Sequence, residues 1–369
     1  MDFQLSQEQE MLRDTTQDLL TQSYDNESRL AVSATELGWS RDVWNQLAEI
    51  GILGLGFDPE ESGQIEITCV ATEIGRRLAP EPVIHGALAP GALIAERGTD
   101  DQRALLDDVA AGQHLLAFAH LEPGHRAPTA RVQTQAVSTA DGWVLTGLKN
   151  PVLAGDCADT LVVSAALPAG SGTGLFLVNA ADVERRCYST FDSRRAAQIN
   201  FANTPATPLG EPVDAAESII NAIALIQSAQ CAEAVGAMEE ALRLTAEYLR
   251  TRKQFGVTLN KFQTLTQRAA DMYLSLELAR SMSLYAAMSI AAGTVDPLIS
   301  SRAKLQICRS GRHIGQEAIQ LHGGIGVTAE YPVGHYTARL TAIENTFGSA
   351  SDHVAVLSQH VSDYGLIKM

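Results

Sequence analysis

Over roughly the first hundred positions, apolar residues recur at the three- and four-residue spacing of amphipathic helices. Ser6 and Gln9 form a capping-box pattern ahead of Met11, Leu12, Leu19 and Leu20, which predicts a first helix. Ser40 precedes a second apolar stripe of Val43, Trp44, Leu47 and Ile50, closed by Gly51. A third helix is expected from about Glu66 to Leu78, stopped by Pro80 and Pro82, and a fourth from about Asp101 to Ala111, ending at Gly112.

From about Leu115 to Gly210 the pattern changes to short apolar or alternating runs broken by turn residues. The expected strands are Val132 to Val137, Trp143 to Leu145, Thr160 to Ala166, Gly174 to Val178 and Ala197 to Phe201. Asp141-Gly142 between the first two is a hairpin signal. After Pro212 helical spacing returns. A helix is expected from Asp214 to Arg250, and its middle, Ile219 to Ala237, is apolar on most faces, as in a helix enclosed by a bundle or a subunit interface. Further helices are expected over Lys261 to Ala292, Asp296 to Leu321 and Tyr336 to Val361. The pattern therefore predicts a multi-domain α+β protein: an N-terminal helical domain over 1–113, a β-barrel-like middle domain over 114–212, and a C-terminal four-helix bundle over 213–369.

Composition narrows the function. Against 27 basic side chains stand 43 acidic ones, a net charge of −16, which argues against a nucleic-acid partner. Apolar residues make up 46%, so the chain is globular. No run approaches the roughly 18 uninterrupted apolar residues of a membrane span. The start, Met1 to Ser6, has neither the basic nor the apolar region of a signal peptide. The five cysteines are scattered, with no CxxC pair, and there is no HExxH, so no metal site is expected and reduced thiols in a cytoplasmic protein are.

Two clusters carry candidate chemistry. Arg252-Lys253-Gln254-Phe255-Gly256 follows the longest predicted helix, with Phe262-Gln263 opening the next. An arginine fork grips phosphate, and a phenylalanine offers a face to a sugar or base, although a basic loop between helices is also an ordinary solvated feature. Gln320-Leu321-His322-Gly323-Gly324-Ile325-Gly326 puts three glycines at a helix end, where backbone N–H groups come close to a phosphate; helix C-caps share that composition. Its spacing is neither a Walker loop nor GxGxxG.

These motifs occur in one order with the opening Phe3, Leu5, Ser6, Gln9, Leu12 and the stretch Trp44 to Gly54, and in this the chain resembles the acyl-CoA dehydrogenase family over essentially its whole length. The resemblance implies tetramers assembled through the C-terminal bundles. It also implies that Arg252, Gln254, Phe255, Gln263, Gln320, Gly323 and Gly324 reach the pyrophosphate and adenosine of FAD bound by a neighbouring subunit. The implied reaction is α,β-dehydrogenation of an acyl-CoA: a glutamate removes the α-proton, the flavin accepts the β-hydride, and electrons leave to an electron-transfer flavoprotein. Such a base is a carboxylate held in a dry pocket.

Here the chain departs from the family. The usual base opens a Glu-Gly-Thr triplet sixteen residues after the Tyr-Pro that follows the glycine turn; counted from Tyr331, the position is Phe347, with Gly348 and Ser349 behind it. The alternative placement, 26 residues before the loop arginine, is Ile226. Neither accepts a proton, so no catalytic residue is assigned. Glu344, three residues before Phe347, is the candidate displaced base, with Asp352 behind it. The chain's own flavin loop is altered too: His120-Leu121-Glu122-Pro123-Gly124-His125-Arg126 keeps only Glu122-Pro123, Val152-Leu153 replaces the family's Trp-Ile, and Arg126 is large enough to fill the pocket. The residues that serve a neighbour's FAD are present and those for its own are not. That asymmetry resembles the heterotetrameric actinobacterial enzymes acting on steroid side-chain CoA thioesters. It implies a paralogous partner that carries the glutamate. The alternatives are a self-sufficient homotetramer using Glu344, a flavin monooxygenase of this fold, and a purely structural subunit.

Overall fold

The computed structural model describes residues 4–58, 61–124 and 127–361. Phe3, His125 and Arg126, which the sequence reading singled out, lie outside them. The N-terminal region is helical: α1 (Gln7–Ser23), α2 (Asn26–Ser33), α3 (Arg41–Glu49), α4 (Gln64–Arg77), α5 (Ala89–Arg97), α6 (Asp100–Arg103) and α7 (Leu105–Ala110). Ser6 and Gln9 make the reciprocal capping box of α1, and the Ser40 hydroxyl accepts the Val43 N–H at the start of α3. Three features depart from expectation. α2 was not foreseen, nor was the π-helical turn Ile84–Leu88 leading into α5. The single helix expected over Asp101 to Ala111 breaks at Ala104 into α6 and α7.

The middle region carries β1 (Leu116–Ala119), β2 (Gln135–Thr139), β3 (Gly142–Leu153), β4 (Thr160–Ala166), β5 (Thr173–Asn179), β6 (Glu184–Ser189) and β7 (Arg195–Pro208). The order β4-β2-β3-β7-β5 returns to β4 and closes a barrel, with β1 beside β4 and β6 beside β7. Closure leaves no edge on the ring strands, and their inward side chains, including Leu145, Val152, Leu161, Phe176, Ile199 and Phe201, form one apolar core. The expected hairpin is present, with Thr139 opposite Gly142.

The C-terminal bundle consists of α8 (Ala216–Thr251), α9 (Gln263–Ala291), α10 (Pro297–His322), α11 (Val333–Asn345) and α12 (Ala350–Gln359). The short strands β8 (Lys253–Gln254) and β9 (Val257–Thr258) lie between α8 and α9. α8 is long and apolar enough to cross a membrane, but 83% of its most apolar stretch is buried inside the protein, as in the core helix of a bundle. The helix expected over Tyr336 to Val361 is two, because Phe347 (φ 54°) and Gly348 (φ 108°) take left-handed backbone that no helix tolerates. Ser349 and Asp352 then cap α12.

By contact the chain forms two compact units, one from Met1–Leu30, Gln64–Ala79 and Gln227–Met369, the other from Ala31–Gly63 and Pro80–Ile226. In the first, α4 and α8 touch backbone to backbone. A Cβ on Gly75 would stand 1.8 Å from the Glu233 carbonyl, and one on Gly236 1.8 Å from that of Thr72. Only glycine permits the crossing.

Candidate functional site

The last turn of α8 delivers Arg252, whose N–H donates to the Tyr248 carbonyl at 2.9 Å. β8 and β9 then pair, Lys253 with Thr258 and Gln254 with Val257. Phe255 and Gly256 form the tip, both at positive φ (54° and 81°), the backbone of a two-residue hairpin turn. Phe255 is 92% exposed, and its ring meets Phe262 edge-on at 6.2 Å. Gln263 opens α9 beside it and is exposed. Arg252 and Gln254 are exposed as well, and among the described residues the Arg252 guanidinium has no carboxylate partner.

Gln320 stands exposed in the last turn of α10, and Gly323 and Gly324 follow it onto the surface. Gly323 adopts φ 66°, ψ −140°, a conformation reserved for glycine. No atom lies within 4 Å of where a Cβ would stand on either glycine, so their backbone is open to an approaching group. Tyr248, one turn before Arg252, has its ring 4.5 Å from that of His322, the residue before Gly323, which joins the two motif segments into one surface. A guanidinium without a counter-ion, an open glycine backbone and an exposed aromatic face suit a dinucleotide pyrophosphate and its adenosine. The donor set fits FAD.

The base positions are different. Phe347 is buried, and its carbonyl accepts from Gln227 Nε2 at 2.7 Å. Lys304 Nζ, fully buried, donates to the carbonyls of Ile343 (2.5 Å) and Thr346 (2.8 Å) and to Gln230 Oε1 (3.1 Å). These donors satisfy the carbonyls that end α11. Sequence reasoning missed them, since nothing local marks Lys304 as reaching α11. Burial pushes the Lys304 ammonium below its ordinary value. His353, also buried, packs beneath the turn with Nε2 unpartnered, and burial together with nearby Lys304 pushes its pKa down to about 4.

Glu344 is held in an ion pair with Arg312. That pairing engages its carboxylate with a cation. Asp352 is consumed as the capping-box acid of α12, with Oδ2 2.9 Å from the Ser349 N–H. Ile226 is buried and apolar.

In the barrel, Glu122 accepts from Lys149 Nζ (2.8 Å), from the backbone N–H groups of Gln133 (2.7 Å) and Thr134 (2.9 Å), and from the Thr134 hydroxyl (2.7 Å). Lys149 also reaches Ser164 Oγ (3.2 Å), which lies 2.8 Å from His120 Nδ1, and His120 Nε2 donates to the Pro128 carbonyl at 2.6 Å. Burial and the Lys149 charge push His120 down to about 4. Burial opposes ionisation of Glu122, but Lys149 and Thr134 outweigh it and hold its carboxyl well below the usual range. The cluster is buried and pairs internally, tying the 127–134 segment to the barrel. Val152 faces the barrel core, where it cannot wall a flavin.

Comparison with known proteins identifies the family and the fold. A family model described as the acyl-CoA dehydrogenase N-terminal domain matches residues 6–113, and one described as the acyl-CoA dehydrogenase C-terminal domain matches residues 218–360. The chain is 29% identical over 340 residues to acyl-CoA dehydrogenase IpdE2 of Mycobacterium tuberculosis, covering 90% of this chain and 91% of that protein. Among solved structures, the steroid acyl-CoA dehydrogenase Tcur3481–Tcur3483 matches with 30% identity and a TM-score of 0.89, over 97% of this chain and 98% of that one. The ChsE4–ChsE5 complex of Mycobacterium tuberculosis shares the fold, at 24% identity and a TM-score of 0.89, over 98% of this chain and 99% of that one. Helical N-terminal region, β-barrel and helical bundle, together with the two family matches, define the class of FAD-dependent oxidoreductases that act on acyl-CoA. The chain belongs to the acyl-CoA dehydrogenase family.

Proposed function

We propose that this chain, with 1–113, 114–212 and 213–369 as its domains, is the subunit without a catalytic base in a heteromeric acyl-CoA dehydrogenase. It completes the FAD site of a paralogous partner that supplies the glutamate. The observation that carries this reading is the contrast inside one unit. The surface built from Arg252, Gln254, Phe255, Gln263, Gln320, Gly323 and Gly324 is exposed and chemically complete, whereas the base position is a buried phenylalanine and the nearest carboxylate is paired with Arg312.

FAD, when bound, supplies the hydride acceptor. Arg252 balances pyrophosphate charge, the open backbone of Gly323 and Gly324 allows close approach, and Phe255 covers the sugar or base. Phe347 holds no proton and accepts none, so the α-proton of the thioester leaves to a carboxylate of the partner. A steroid side-chain CoA thioester is the proposed substrate, an electron-transfer flavoprotein the electron acceptor and the cytoplasm the location. The substrate follows from the match to a steroid acyl-CoA dehydrogenase named for two components.

The test is to purify this chain alone and together with the paralogue, and to measure flavin content and acyl-CoA oxidation. The lone chain should hold little flavin and turn over nothing, and the complex should hold one FAD per unlike pair. Arg252→Ala in the complex should weaken FAD binding about tenfold or more. Full flavin loading and turnover by the lone chain would overturn the proposal.

A further inference from the structure

The Arg252 hairpin and the Gly323–Gly324 turn come from different helices, and a shared cofactor requires that they keep a fixed separation. Three rings lie between them. Tyr248 carries Arg252 through the bond from Arg252 N–H to its carbonyl. The Tyr248 ring lies 4.5 Å from His322 and 6.3 Å from Tyr331, and those two rings are 4.9 Å apart. His322 Nδ1 donates to the Ala318 carbonyl at 2.7 Å. That leaves Nε2 as the acceptor for the Tyr331 hydroxyl at 3.2 Å. His322 is buried, and burial lowers its pKa against the pull of the Ala318 and Leu244 backbone, which favours the neutral imidazole able to accept this bond.

The bond is dispensable for the fold. Two phenylalanines would fill the same space, and replacing both members of a buried polar pair by apolar groups of like shape is nearly neutral. The bond fixes one side of the His322 ring, and His322 leads directly into Gly323, the cap residue of α10. We propose that Tyr248, His322 and Tyr331 are positioning residues that hold the Arg252 hairpin and the glycine turn at the separation FAD requires, with the bond from the Tyr331 hydroxyl to His322 Nε2 as the setting element. The inference rests on the reading that these two segments bind FAD.

The experiment uses the complex with the paralogous subunit and measures the FAD dissociation constant and melting temperature of His322→Phe, Tyr331→Phe and the double variant. Each single change should weaken FAD binding about threefold to tenfold. The double variant should lose no more than the worse single one, because both remove the same bond. Its melting temperature should stay near that of the parent, and saturating FAD should restore turnover. Should His322→Phe fold poorly, Tyr331→Phe, which deletes one hydroxyl, carries the test. Unchanged FAD affinity in the single variants, or losses that multiply in the double one, would overturn the proposal. Arg252→Ala measured in parallel separates the two levels. If it weakens FAD binding and the ring variants do not, positioning alone fails; if it too has no effect, the FAD reading fails with it.

Discussion

Two phenylalanines in this protein share a backbone conformation and little else. Phe255 and Phe347 both sit at φ 54°, a region that costs a non-glycine residue about 1–2 kcal/mol. Phe347 is 5% exposed, and its turn is held from within by Gln227 and Lys304. Phe255 is 92% exposed at the tip of a two-stranded hairpin and touches little besides Phe262. Strain persists only where surroundings over-determine it. For Phe347 those surroundings are a buried pocket; for Phe255 they are the pairing of β8 with β9 on either side of the turn. A left-handed phenylalanine is therefore enclosed in one place and presented to solvent in the other.

Removing the internal support should produce the largest effect. Lys304→Met removes the buried ammonium that donates to the Thr346 carbonyl and shares the Ile343 carbonyl with the Thr346 N–H, and should lower stability by about 3 kcal/mol in urea unfolding. A change below about 1 kcal/mol would show that the Phe347 turn does not depend on it. Phe347→Gly relieves strain but empties a buried aromatic site, so a net loss of about 2–3 kcal/mol is expected by the same measurement. Acid should act on this turn through His353 and on the barrel through His120. His353 and His120 both have folded-state values of about 4, below the ordinary 6.5. Each therefore contributes stability that is complete above about pH 6.5 and drains away as pH falls towards 4, because the unfolded chain binds the proton more readily. Between pH 7 and pH 5 the loss per histidine is on the order of 1–2 kcal/mol, and His353→Leu should flatten the melting-temperature profile over that window. An unaltered slope would refute the role of His353. The smallest effect has the opposite sign. Phe255→Gly gives up an exposed ring and relieves left-handed strain, so it should raise the stability of the isolated chain by about 0.5–1 kcal/mol while weakening FAD retention in the complex. If both measurements fall together, Phe255 packs within its own chain and the contrast with Phe347 is lost.

Much of this was legible beforehand where the signal is local. The Ser6–Gln9 capping box, the Ser40 cap, the Asp141–Gly142 hairpin and the whole of β4 stand where the pattern places them. β1 was missed because Leu116–Ala119 is a short apolar run buried along its whole length, with no alternation to read. β6 was missed because Glu184–Ser189 is a mostly exposed edge strand of charged and polar residues that looks like a loop. At the candidate site, the seven residues proposed to reach FAD come from two motifs, which the structure places on the α8–α9 hairpin, the first turn of α9 and the end of α10; Phe347 was reached by counting from Tyr331. The Arg312 partner of Glu344 and the three acceptors of Lys304 were not visible, since each joins separate helices.

The sequence by itself determined where helices begin, where turns need glycine, which loop carries an arginine beside a phenylalanine and glycine, and that positions 226 and 347 hold no carboxylate. Those properties depend on residues within a turn or two of one another, so short-range sterics and hydrogen bonding decide them. Only the tertiary structure decided that α1 and α4 group with the C-terminal bundle while α3 and α5 to α7 group with the barrel. It likewise decided that Glu344 pairs with Arg312 and that Glu122, Lys149, Ser164 and His120 close into one buried cluster. Partners across such distances are chosen by which surfaces fit, as where Gly75 and Gly236 let two backbones meet, and the spacing of letters along a chain carries no record of that fit.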